Sequence, residues 1–304
     1  MQQRPSRRSR LCLCVTVCVA AAALALVPNA TAKKKHRHKS PGPALIFSDT
    51  GTAPDPAVLW GKVDCEKQSR AQQINTGGDT HVTATGAPQG DSAFRRLSVS
   101  DGDDVWGERC ELGEDFRAGG PTVLYRQGKH RLTALSVRLP STFPLNVFTW
   151  QVVMQMKQTF PAANSGGTPV LELDAYDGRW VLRQSLSRGS VSDSRVLWSV
   201  PAQANLWTRF AFDVRYSDRK KSGYIRVAVD LNGDGDFADP GELSKGFRTY
   251  TLKVETRGGG GDGIKAGRAI PSHLRAGIYH DTAIPCLGVT GCQVDIDNIQ
   301  VLRP

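Results

Sequence analysis

From Ala44 onward no helical periodicity lasts more than a turn or two, and the chain runs instead through short alternating stretches. They cover residues 44–47, 93–99, 131–139, 149–157, 170–176, 180–184, 207–216, 224–230, 247–255, 273–279 and 293–302. Turns rich in Gly, Asp, Ser and Pro separate them, and the chain holds 31 glycines and 17 prolines. Alternation with period two sends successive side chains to opposite faces, so each run can bury one face and keep the other polar. Many such runs indicate an all-β sandwich or jelly roll, expected here as one domain over residues 43–304. A chain of 304 residues is within reach of one large sandwich. No internal repeat is present.

The N-terminus is a different material. Arg4, Arg7, Arg8 and Arg10 precede an apolar stretch, 11–27, and Ala30-Thr31-Ala32 offers small residues for cleavage. This is the pattern of a secretory leader, so residues 1–32 are expected to be removed after Ala32 and the mature protein to be extracellular. Residues 33–42, KKKHRHKSPG, form a basic linker. It reads either as a solvated, disordered tail or as an electrostatic tether to an acidic wall or polysaccharide.

Residues 1–42 carry nine of the 39 Lys and Arg residues and no acid, which leaves 30 basic against 29 acidic in the remainder. The formal charge of +10 is therefore a property of the leader and tail, and a nucleic-acid partner is not expected. No later stretch is long and apolar enough to span a membrane, and a monomer is expected. Of the seven cysteines, four remain after cleavage. An even count in an exported chain argues for disulfides. Cys286 and Cys292 bracket a short loop and are expected to pair, leaving Cys65 for Cys110.

Three stretches carry chemistry on one face. In 272–279, Arg275, Gly277 and Tyr279 oppose Leu274, Ala276 and Ile278, and His273 joins the Tyr279 face if the strand reaches that far. Gly277 leaves the backbone bare between a cation and a phenol, where a ligand could lie. In 107–113, Arg109 and Glu111 oppose Cys110 and Leu112. In 150–157, Gln151, Gln155 and Lys157 are expected to oppose the apolar residues. These groups suit the handling of a carboxylate. Trp180 and Trp207 read as core rather than as sugar platforms. The glycine-rich stretch 257–263, just before Arg275, reads as a hairpin connection or as a lid.

Residues 230–242, DLNGDGDFADPGE, place oxygen ligands at alternate positions before a glycine. Asp230, Asn232, Asp234, Asp236, Asp239 and Glu242 could wrap a structural calcium ion. The alternative is an Asp- and Gly-rich hairpin turn.

The order GERCEL, LSVRLPSTFP, WQVVMQMK, YDGRWVL, HLRAGIY, VDIDNIQVL resembles the secreted polysaccharide lyases with a concanavalin-like jelly roll, the heparin-lyase-like and alginate-lyase-like families. Arg109 and Glu111 match the R-S-E-L-R motif of the alginate lyases, with Cys110 for the serine and Gly113 for the last arginine. Gln155 matches the first residue of Q-I-H, but Lys157 stands where the histidine belongs. Arg275 through Tyr279 keep the spacing of K-A-G-x-Y, with arginine for lysine. The resemblance implies β-elimination on an anionic, uronate-containing polysaccharide. Arg109 and Gln155 would offset the uronate carboxylate. Tyr279 would transfer the proton, and Lys157, its pKa lowered by neighbouring cations, would share the base role. Arg275, Glu111, Gln151 and His273 would bind substrate. Jelly rolls also bind sugars without cleaving them, and a glycoside hydrolase is a third reading that requires a second carboxylate facing Glu111.

Overall fold

The computed structural model describes residues 42–79, 93–114, 123–159, 168–185, 194–255, 264–286 and 291–304. The leader, residues 33–41 of the basic linker and the stretch 257–263 lie outside the described residues.

Two antiparallel sheets face each other. The first runs β13 (Phe247–Arg248), β12 (Tyr224–Asp230), β11 (Trp207–Arg215), β6 (His130–Arg138), β15 (Cys292–Arg303), β4 (Phe94–Val99) and β3 (Ala71–Ile74), with β1 (Ala44–Asp49) also paired to β15. The second runs β10 (Ser194–Pro201), β9 (Arg179–Ser185), β8 (Leu171–Tyr176), β7 (Gln151–Gln158), β14 (Ser272–His280), β5 (Arg109–Gly113) and β2 (Lys62–Cys65). Neighbours such as β7 and β14 are distant in sequence, as a jelly roll requires. Residues 41–304 form one compact body.

The alternation works as the sequence implies. Leu112, Met154, Met156, Leu171, Leu173, Leu274, Ala276 and Ile278 of the second sheet meet Leu97, Leu135, Val137, Phe210, Phe212, Val227 and Ile296 of the first. Each large apolar side chain buried in this way contributes about 1.5–3 kcal/mol against the chain entropy lost. Trp180 is core, edge-on to Phe210 at 5.1 Å. Trp207 is half-buried against Phe94 and Arg138.

The expected strand 247–255 is mostly absent. Only Phe247 and Arg248 pair with β12. Beyond them the backbone bonds are scattered rather than laddered: the Thr251 and Leu252 amides both donate to the Ser217 carbonyl at 2.9 and 3.0 Å, Val254 forms an isolated bridge with Ala269, and the Thr249 and Thr251 hydroxyls donate to Gln184 at 2.6 Å and to the Arg215 carbonyl at 2.8 Å. The sequence reading also passed over β2, β3 and β10. The first two are only four residues long, and β10 is an edge strand whose register shifts between Val196 and Trp198. Both expected disulfides are formed, Cys65–Cys110 and Cys286–Cys292. Cys65 and Cys110 are registered partners on β2 and β5, so the bridge fastens the edge strand to the strand that carries Arg109.

Glu114, just past β5, lies in the core. Its Oε2 accepts from the Tyr125 hydroxyl at 3.2 Å and from the Leu274 amide at 3.4 Å. Tyr125 stacks on Tyr216 with centroids 4.7 Å apart. Burial disfavours the charged carboxylate and pushes its pKa from 4.5 up to about 8. Between those values the folded state holds a proton that the unfolded chain has released, so stability falls as pH rises from 4.5 through about 8. Glu114→Gln keeps the shape and removes the titration. Urea unfolding should show the wild type losing a few kcal/mol, on the order set by the shift, relative to Glu114→Gln across that window. Parallel pH profiles for the two proteins would show that Glu114 does not titrate as the core requires.

Candidate active site

Strands β7, β14 and β5 lie side by side and carry the polar groups on the face away from the core. Register sets the neighbours. Tyr279 pairs with Arg109, Gly277 with Glu111, Arg275 with both Gly113 and Gln155, and His273 with Lys157. Two glycines allow this closeness. A Cβ on Gly277 would stand 2.2 Å from the Cys110 carbonyl oxygen and 2.7 Å from the Glu111 Cα. The bareness of Gly277 therefore serves the approach of β5, not a ligand. A Cβ on Gly107, at φ 97°, would press on the Tyr279 ring at 3.1 Å.

Glu111 is the centre of the face. It is 1% exposed, and its two oxygens serve three partners on three strands. Arg109 Nη1 donates to Oε2 at 3.3 Å, and Arg275 Nη1 lies 3.5 Å from the same oxygen. Gln155 donates its Nε2 to Oε1. Arg275 is also paired with Asp64 at 2.7 Å, and its Nε donates to His273 Nε2 at 3.1 Å. That bond makes Nε2 the acceptor and puts the imidazole proton on Nδ1. The Arg109 guanidinium covers the Tyr279 ring, its Cζ 3.7 Å from the centroid, and Trp150 meets the same ring edge-on at 4.6 Å. Arg109 Nη2 donates to the Trp106 carbonyl at 2.6 Å. Its Nε is buried without a hydrogen-bond partner among the described residues.

Lys157 is half-buried at the other end of the face. Burial, then the cations of Arg275, Lys253 and Arg109, lower its pKa to about 7, against a smaller opposing pull from Glu111. The direction agrees with the sequence expectation, but burial outweighs the neighbouring cations. Lys253 is held by the Thr168 carbonyl and lowered to about 8, again chiefly by burial. Glu172 and Asp174 of β8 share the face, both raised by burial, with Arg183 Nε donating to Asp174 at 2.6 Å.

Tyr279, Lys157, Gln155 and Arg109 are thus brought to one face. Arg275 and Glu111, expected to bind substrate, are placed as buried, mutually satisfied ions that hold Arg109 and Gln155. His273 is likewise buried behind Lys157 and Arg275. Gln151 is on the wrong side. The register of β7 against β8 shifts between Val152 and Met154, so Val153 and Met154 both enter the core. The alternation inverts before them, and Gln151 points to the Pro144 and Ala175 carbonyls at 2.9 and 3.3 Å. The sequence reading missed Asp64, Glu172, Asp174, Arg183 and Lys253. Glu172 and Asp174 were readable from the alternation in LELDA; Asp64 and Lys253 reach the face only through tertiary pairing.

The acidic turn 230–242 lies elsewhere, after β12. Asp230 is buried against Arg209 at 2.6 Å and accepts the amides of Gly233 and Gly235. Asn232 donates to Asp234 and Asp239, Asp236 accepts the Ala238 amide, and Glu242 accepts the amides of Leu231 and Asp239. Amides and Arg209 offset the carboxylate repulsion that suggested a cation. A melting temperature that rises with calcium and falls with a chelator is the outcome expected of a calcium site, and an unchanged one that of a self-capped turn.

A family model described as polysaccharide lyase matches residues 60–299, and the chain belongs to that family. No curated protein matches the sequence. Among solved structures, the endo-β-1,4-glucuronan lyase of the fungus Trichoderma reesei is similar with a TM-score of 0.56 and 13% identity, over 86% of this chain and 96% of its own. A glycoside hydrolase family 131 catalytic domain from Coprinopsis cinerea gives 0.48 and 11%, over 84% and 93%. A family 7 alginate lyase in complex with substrate gives 0.43 and 12%, over 75% and 90%. At such identities the likeness speaks to the fold, a jelly-roll sandwich.

Removing the Glu111 carboxylate would leave two buried guanidinium groups short of an anion. Glu111→Ala is expected to cost about 3–5 kcal/mol in urea unfolding. A loss below about 1 kcal/mol would place the cluster in water-screened surroundings instead.

Proposed function

We propose that this lyase cleaves a uronate-containing polysaccharide by β-elimination at the face built by β7, β14 and β5, as an exported protein. The observation that carries the reading is the Arg109–Tyr279 stack, in which a buried guanidinium covers a half-buried phenol. A uronate carboxylate set against Arg109 and Gln155 has its charge offset, which acidifies the adjacent C–H. The base takes that proton, the electron pair forms a C=C bond, and the 4-linked oxygen leaves with a proton. Tyr279 is placed to handle a proton beside Arg109. Lys157, with a pKa of about 7, is in part a free amine near neutrality and is assigned the base role or a share of it.

Incubation with alginate, glucuronan and heparin tests the reaction class. The expected outcome with one of them is rising ultraviolet absorbance from the new conjugated double bond, together with new reducing ends. Reducing ends without absorbance would indicate a hydrolase, for which a second carboxylate would have to face Glu111, and binding without either product a non-catalytic sugar module. Tyr279→Phe should lower kcat by about 10²-fold or more with polymer binding nearly unchanged. Arg109→Ala should weaken binding and turnover together, since it meets the carboxylate in the ground state. As base, Lys157 must be unprotonated, so kcat/KM should rise with pH through about 7. Lys157→Ala should abolish that limb and Lys157→His should keep it. A fully active Lys157→Ala protein would leave Tyr279 as the sole proton-transfer group.

A further inference from the structure

Trp106 is 80% exposed. Its backbone has φ 64°, a left-handed conformation that a bulky residue adopts only where its surroundings impose it. Here the surroundings belong to the candidate site. Arg109 Nη2 donates to the Trp106 carbonyl at 2.6 Å. The next residue, Gly107, donates its amide to Asp104 at 3.0 Å and lies on the Tyr279 ring. The turn therefore spends conformational energy to hold an indole in solvent, joined through its own carbonyl to the arginine that covers Tyr279. A single exposed apolar residue is ordinary; one fixed in a strained backbone whose carbonyl is bonded to the arginine over Tyr279 is not. Trp150, by contrast, is half-buried edge-on to Tyr279 and is accounted for by that packing.

We propose that Trp106 is a stacking platform for a pyranose ring of the polysaccharide that reaches Arg109 and Tyr279. The inference rests on the uronate-lyase reading above. A pyranose offers a C–H-bearing face that an indole can cover, excluding water from it, while its carboxylate edge remains available to a cation. Binding energy collected on Trp106 positions the linkage at Tyr279.

The test uses the Tyr279→Phe protein as parent, so that ligand is not consumed, and oligosaccharides of alginate and of glucuronan as probes. Trp106→Gly is the informative variant, because glycine adopts positive φ without strain. It should bind roughly tenfold more weakly, equivalent to about 1.4 kcal/mol, while melting at or above the parent. Trp106→Phe, which keeps a ring, should retain most of the affinity. In the otherwise unmodified enzyme, Trp106→Gly should raise KM more than it lowers kcat. Affinity unchanged in Trp106→Gly overturns the platform. So does a fall in both affinity and melting temperature shared equally by Trp106→Phe, which would make the indole structural. If the parent binds neither probe, nor heparin oligosaccharides measured beside them, the uronate reading itself fails and the platform with it, and that failure is seen in the parent alone.

Discussion

Everything the site can do depends on one carboxylate placed between two guanidinium groups. Glu111 meets Arg109, Arg275 and Gln155 on three different strands. Without it, two buried cations would face one another in a medium that screens them poorly. With it, the cations are fixed, and each retains a distinct job. Arg275 is turned inward to Asp64 and His273, while Arg109 is held over Tyr279. The scaffold supports this at the backbone level. Glycine at 277 lets β5 approach close enough for Glu111 to reach across, and the Cys65–Cys110 bridge holds the far side of β5 to the sheet edge.

The fold was legible because burial on one face of a strand leaves a period-two trace. Most predicted runs became strands, and their inward residues became the core. The same logic brought Arg109, Gln155, Lys157, Arg275 and Tyr279 to one face. It failed where the backbone broke the period. The irregularity at Val153 inverted the alternation and sent Gln151 to the wrong side. Beyond Arg248, the backbone bonds scatter to Gly223, Ser217 and Arg268 instead of continuing along one neighbour, and the predicted strand broke up. A bulge and a scattered set of backbone partners are both decided by neighbours distant in sequence, so no local pattern announces them.

The roles inside the site were less legible than the positions. A sequence shows that Arg275 and Glu111 share a face with Arg109, but not which of them spends its charge on another protein group. Asp64 decides that question for Arg275, and it arrives from a four-residue edge strand with little pattern of its own. The acidic turn makes the same point from the other direction. Its composition suggests a cation, yet Arg209 and a series of backbone amides already answer its carboxylates.

The departure that most unsettles the resemblance is a lysine at 157 in place of a histidine. Chemically, a histidine is useful there because its ordinary pKa lies near 6.5, where both proton states are populated. An ordinary lysine, near 10.4, would be a locked cation. This lysine is not in ordinary surroundings. Its own burial and the guanidinium and ammonium groups of Arg275, Lys253 and Arg109 bring it to about 7. The environment thus gives an amine the titration range of an imidazole, and it does so with groups that already stand in the face for other reasons. A longer, flexible side chain then reaches from a strand position opposite His273. With Lys157 as the proposed base, the substitution would change the identity of the base and not the pH at which a base is available, and the altered motif is chemically consistent with retained activity.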